Sequence, residues 1–201
     1  MADNISVKDA AAATVVVRAK DNSSVSLPVH AIADTTGANV ASVDTGSALK
    51  ISTTTKITSV TPTLDTSAYA DGDTLFDDTV ISACLRIDDG TGTITSITLI
   101  DKDDQKQGVD LFFFDANLTT FGTANAAPSI SDSDAGNFLG WVRIAAADYI
   151  DVGGVSIAQI PCSIPVKGVS GTDDIYVAGM SRGTGTYTAS GMVIRVAIAC
   201  D

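Results

Sequence analysis

Glutamate is absent from this 201-residue chain: all 24 acidic residues are Asp. Gln occurs only three times. These are among the best polar helix formers, so their scarcity argues against helix bundles, coiled coils and doubly wound α/β folds. His30 is the sole histidine, whereas nucleophilic triads and most catalytic zinc sites need a His held by partners. In its extended apolar setting, Leu27-Pro28-Val29-His30-Ala31-Ile32, it reads as a packing or hydrogen-bonding residue. The three cysteines, Cys84, Cys162 and Cys200, are odd in number and widely spaced. They form neither a disulfide framework nor a CxxC metal pattern, and read as small buried hydrophobes in a reducing compartment. No apolar run approaches the ~20 residues of a membrane-spanning helix. The start of the chain lacks the basic region and long apolar core of a signal peptide. No phosphate-cradling GxxxxGK[ST] and no GxSxG elbow is present.

What is abundant points one way. Val, Ile and Thr make up 61 residues, and β-branched side chains suit pleated sheets better than helices. Asp, Gly, Ser and Thr supply turns. A 45% hydrophobic content is enough to bury a core. The expected fold is all-β: an antiparallel β-sandwich, jelly-roll-like, with an extended N-terminal arm. The formal net charge of −12 repels phosphate backbones and anionic lipid surfaces, so neither nucleic acid nor membrane is an expected partner.

Along the chain, residues 1–48 differ from the rest. Two short apolar runs, 10–17 and 25–32, flank Asp21-Asn22-Ser23-Ser24, and a small polar stretch follows. Isolated strands of this kind cannot bury a face alone. The segment reads as an arm for attachment or subunit bridging, with Val25, Leu27, Val29, His30 and Ile32 as its interface residues. Residues 49–201 read as the sandwich body. Strands are expected at 49–60, 80–87, 93–100, 109–114, 138–144, 155–164, 175–180 and 192–199, separated by turn clusters. Asp88-Asp89-Gly90 reads as a hairpin turn. Ser131-Asp132-Ser133-Asp134-Ala135 offers an N-cap and an acidic first turn for one short helix. Gly179 reads as a point of close backbone approach.

With no Glu and one His, carboxylate chemistry falls to Asp pairs. Asp71 and Asp73, and Asp101 and Asp103, are weak candidates for Ca²⁺, because neither cluster fits the EF-hand spacing and its terminal Glu. Asp77-Asp78 is a further pair. All read more simply as solvated turn residues, and no metal or cofactor is expected. Leu111-Phe112-Phe113-Phe114 is the densest aromatic run, with Phe138 and Trp141 downstream. Four large apolar residues in a strand present apolar groups to both sheet faces. One face would be core. The other needs cover from the arm or another subunit, making Phe112 and Phe114 interface candidates, or else forms an aromatic carbohydrate platform. The span 192–199 is nearly continuous in apolar character too, and is expected to be covered on both faces.

Several stretches together resemble structural proteins of tailed bacteriophages. The arm's VSLPVHAIADTTGA (25–38), after the opening MADNI, is similar to the N-terminus of small virion proteins. In the body the likeness rests on LDTSAYADGDTLFD (64–77), DSDA (132–135), AADYID (146–151) and SRGTGTYTASG (181–191). It spans most of the chain. It implies a capsid decoration or auxiliary head protein on the particle's exterior, assembled in the host cytoplasm, with the major capsid protein as partner. It carries over no catalytic residue, and no enzyme activity is expected. The two-faced strands suggest a homo-oligomer, and a trimer suits the three-fold positions of capsid lattices. The competing expectation is a head-fibre or tail component with a carbohydrate-binding β-sandwich.

Overall fold

The computed structural model describes residues 54–201 throughout and, before them, the backbone of four short strands. The chain divides into two units, Met1–Ser52 and Thr53–Asp201. In the first, β1 (Ile5–Lys8) pairs antiparallel with β2 (Thr14–Val17), and β3 (Ala19–Asn22) with β4 (Val25–Pro28). Val25 and Leu27 fall on β4. Val29, His30 and Ile32 lie outside the described residues.

The second unit is an antiparallel β-sandwich. Its strands are β5 (Thr54–Val60), β6 (Thr74–Ile81), β7 (Thr91–Asp101), β8 (Gly108–Phe114), β9 (Phe138–Ile144), β10 (Tyr149–Asp151), β11 (Ser156–Lys167), β12 (Ile175–Arg182) and β13 (Met192–Cys200). One sheet has the order β10-β11-β7-β13-β5, the other β6-β12-β8-β9. Their inner faces share one core, with Ile94, Ile97, Leu99, Ile194, Val196 and Ile198 from the first sheet meeting Leu75, Val109, Leu111, Phe113, Ile175 and Val177 from the second.

Local chemistry explains the departures from plain alternation. Ile94 and Ile97 are three apart yet both buried. On the β13 side, Ile94 faces Ile198 and Ser96 faces Ala197, leaving Thr95 as the extra residue of a bulge. Pro161 and Pro165 sit in β11 beyond the end of β10, where a missing backbone N–H costs no ladder bond on that side. The short helix α1 (Asp132–Ala135) begins as its sequence suggests, with the Ser131 side chain accepting from the Asp134 N–H.

Two expectations need correction. The span 80–87 is not a strand: β6 ends at Ile81, and Ala83 takes a left-handed φ of 52°. The apolar residues that mimicked a strand, Cys84 and Leu85, are buried in a loop whose N–H groups both donate to the Asp173 carbonyl. Asp88-Asp89-Gly90 makes no hairpin, because β6 and β7 belong to different sheets. Asp89, at φ 55°, instead accepts from the Gly171 N–H and ties the crossover to the 168–174 loop. On the outer face of β13, Val193, Ala197 and Ala199 are half-exposed and Arg195 exposed within the body, so the cover expected there is not supplied by the described residues.

Candidate functional site

Five of the seven Phe and Trp side chains lie on the outer face of the β6-β12-β8-β9 sheet. Alternation fixes this: with Val109, Leu111 and Phe113 turned into the core, Asp110, Phe112 and Phe114 must face out. Register then brings Trp141 opposite Phe112, Arg143 opposite Asp110 and Phe138 opposite Phe114. Strand β12 adds Tyr176, Ala178, Met180 and Arg182 on the other side.

One half of this face is covered by the chain itself. Residues 115–131 fold back so that Leu118 and Phe121 bury Phe114 and Ala178 in a second, smaller cluster. Phe114 is therefore 1% exposed within the body and is not available to a partner, contrary to its reading as an interface residue. The covering loop is held by carboxylates. Asp77 accepts from the Phe121 N–H at 2.6 Å and the Thr120 hydroxyl at 3.0 Å, while Asp78 accepts from the Leu118 N–H at 3.0 Å. Burial acts to raise the Asp77 carboxyl, but these donors outweigh it and hold it below the ordinary range. Asp78, more enclosed and beside the Asp77 charge, is raised.

The other half is open. Phe138 is 45% and Trp141 49% exposed. Phe112, half-buried, separates two adjoining grooves. The first, about 270 Å³, is wholly apolar and lies between Phe112, Phe121, Ile130 and Phe138. The second, about 300 Å³, runs between Phe112, Trp141, Arg143, Met180 and Arg182, with Asp110 at its base. The Phe112 and Trp141 rings are 18° from parallel with centroids 6.3 Å apart, and the Arg143 guanidinium lies 5.5 Å from the Trp141 centroid. The last contact is within cation–π range.

Asp110 anchors this groove. Its side chain is 1% exposed and receives Arg143 Nε and Nη2 at 2.8 and 2.9 Å, and Arg182 Nε at 2.7 Å. Burial alone would raise its carboxyl; the two guanidinium groups more than offset that and hold it below the usual range. The same pairing raises Arg143 further. Arg182 also lies 3.7 Å from the exposed Asp71.

The four calcium candidates do not converge. Asp71 pairs with Arg182, and Asp73 accepts from the Ala70 N–H. Asp101 is buried and accepts from the N–H groups of Asp103 and Lys106. Asp103 accepts from the Thr188 N–H and hydroxyl. Asp73, Asp101 and Asp103 are thus spent on loop N–H and hydroxyl groups, and among the described residues no three metal-ligating side chains come together. The cysteines are free; Cys84 and Cys200 are buried, and burial pushes the Cys84 thiol up to about 12.

Sequence reading marked Phe112, Phe138 and Trp141 as aromatic but missed Arg143, Arg182 and Met180. Only the β8–β9 and β8–β12 registers place them together. Comparison of the chain with protein-family models, curated proteins and solved structures finds no match.

Proposed function

We propose that this chain is a structural protein of a tailed-bacteriophage particle, decorating or cementing the capsid exterior. In this reading residues 1–48 attach it to the major capsid protein and bridge subunits, and residues 49–201 form the outward body of a homotrimer. The observation that carries it is the division of the chain. The body closes a two-sheet core from its own strands, and residues 1–52 are a separate unit of the chain, a division that suits an anchor joined to a self-contained body. Its resemblance to phage virion proteins supports the same assignment. So does its charge: an acidic body is suited to the outside of a shell, away from packaged DNA.

The test is direct. An antibody raised against residues 53–201 is applied to particles released by the host that carries the gene. Gold label distributed over the capsid surface is the expected result. Label confined to tails or fibres, or absent from particles, overturns the capsid assignment.

A further inference from the structure

We infer that the groove formed by Phe112, Trp141, Arg143 and Arg182 is a carbohydrate-binding site, taking a neutral hexopyranose with equatorial hydroxyls. The ligand requires apolar ring surface against its axial C–H groups, and planar donors and acceptors at its rim. Both are present. The Phe112 and Trp141 rings, 18° from parallel with centroids 6.3 Å apart, both line the groove, and Trp141 is 49% exposed. Exposed aromatic surface of this kind attracts C–H groups. The adjoining apolar groove along Phe138 extends the surface on the far side of Phe112, giving room for a second ring of an oligosaccharide.

The rim is fixed in advance. Asp110 locks both guanidinium groups by three hydrogen bonds from beneath. Arg143 Nη1 and Arg182 Nη2 keep N–H donors that have no partner among the described residues, and the Arg143 side chain is 53% exposed. Asp71, 72% exposed beside Arg182, adds an acceptor. Planar guanidinium and carboxylate groups match the geometry of vicinal hydroxyls. Charge decides the ligand class. Two guanidinium groups are balanced by Asp110 and Asp71, so the rim offers no net positive field. The chain as a whole is at −12. A phosphate, sulfate or uronate would meet this acidic body without compensation, whereas a neutral sugar would not. The inference does not depend on where the protein sits in a particle, since it concerns the purified chain alone.

Trp141 is the only tryptophan, so its fluorescence reports on this groove. The full chain is titrated with cellotriose, maltotriose and, as the acidic counterpart, trigalacturonate. A saturable fluorescence change with at least one neutral trisaccharide, in the millimolar range or tighter, is expected, with no saturation by trigalacturonate. Trp141→Ala, on an edge strand and half-exposed, keeps the fold by circular dichroism and lowers affinity by calorimetry about tenfold or more. Arg143→Gln, which retains the stem and loses the charge, lowers it roughly fivefold. No saturation with either neutral sugar up to tens of millimolar, equal binding by Trp141→Ala, or tighter binding of trigalacturonate overturns the inference. None of these outcomes bears on whether the protein coats a capsid.

Discussion

At the scale of single residues, Asp110 and Gly179 show how tightly the outer sheet is specified. Asp110 is a buried carboxylate held ionised by two arginines, with its carboxyl below the ordinary range. Such a group adds stability above the unfolded carboxyl value of about 3.9, and that stability is lost as the pH falls through its folded value. Chemical denaturation between pH 6 and pH 2.5 is therefore expected to show a steeper acid loss for the natural chain than for Asp110→Asn. At neutral pH the variant is expected to be less stable by roughly 2–3 kcal/mol, since two guanidinium groups lose a charged acceptor. Gly179 sits in β12 between β6 and β8. A Cβ there would fall 2.2 Å from Phe76 Cε1, and the Phe76 ring is itself buried. The close approach that this glycine allows is thus that of an aromatic ring. Gly179→Ala is expected to cost about 1–3 kcal/mol of stability, read as a lowered midpoint of urea unfolding, because the ring has no space to retreat into. An unchanged midpoint would mean that β12 shifts freely.

At the scale of elements, β8 and the loop that follows it make the site. The run Leu111-Phe112-Phe113-Phe114 announces two apolar faces, and its residues alone say so. What covers the second face is a matter of long-range geometry. Residues 115–131 do it, held across more than 35 positions of sequence by Asp77 and Asp78. Those two carboxylates looked like solvated turn residues because nothing in their local sequence names a distant N–H as partner. The same limit hid Arg143 and Arg182, whose meeting at Asp110 is set by register. Strands with regular alternation were legible to within a few residues. The 80–87 span misled because Cys84 and Leu85 bury themselves in a loop by hydrogen-bonding to Asp173. Asp77→Ala tests the carboxylate hold on the loop. It is expected to cost roughly 1–3 kcal/mol, and to speed hydrogen exchange at Leu118 and Phe121 while leaving β7 and β13 protected. Exchange that stays slow in the loop would show that Leu118 and Phe121 hold it by apolar packing alone.

At the scale of the whole molecule, the two units raise different questions of stability. The body has nine strands whose two sheets bury a common core, an arrangement that supports independent folding at this size. The first unit contributes pairs of four-residue strands, and two-stranded sheets of that length are marginal in water without further packing. If the arm bridges subunits, as proposed, self-association belongs to it and not to the body. Light scattering then separates the two. The full chain is expected to give the mass of a trimer, and residues 53–201 the mass of a monomer with an unfolding midpoint close to that of the full chain at low concentration. A dimer in the first measurement would leave bridging in place and remove the three-fold assignment. A body that stays trimeric without residues 1–52 would move the interface onto the sandwich itself. Among its exposed apolar positions are Ile57 at 64% on the edge strand β5, and Phe138 and Trp141 on the edge strand β9. In that event Trp141→Ala would be expected to dissociate the trimer as well as to weaken sugar binding, a coincidence that an arm-bridged assembly does not produce.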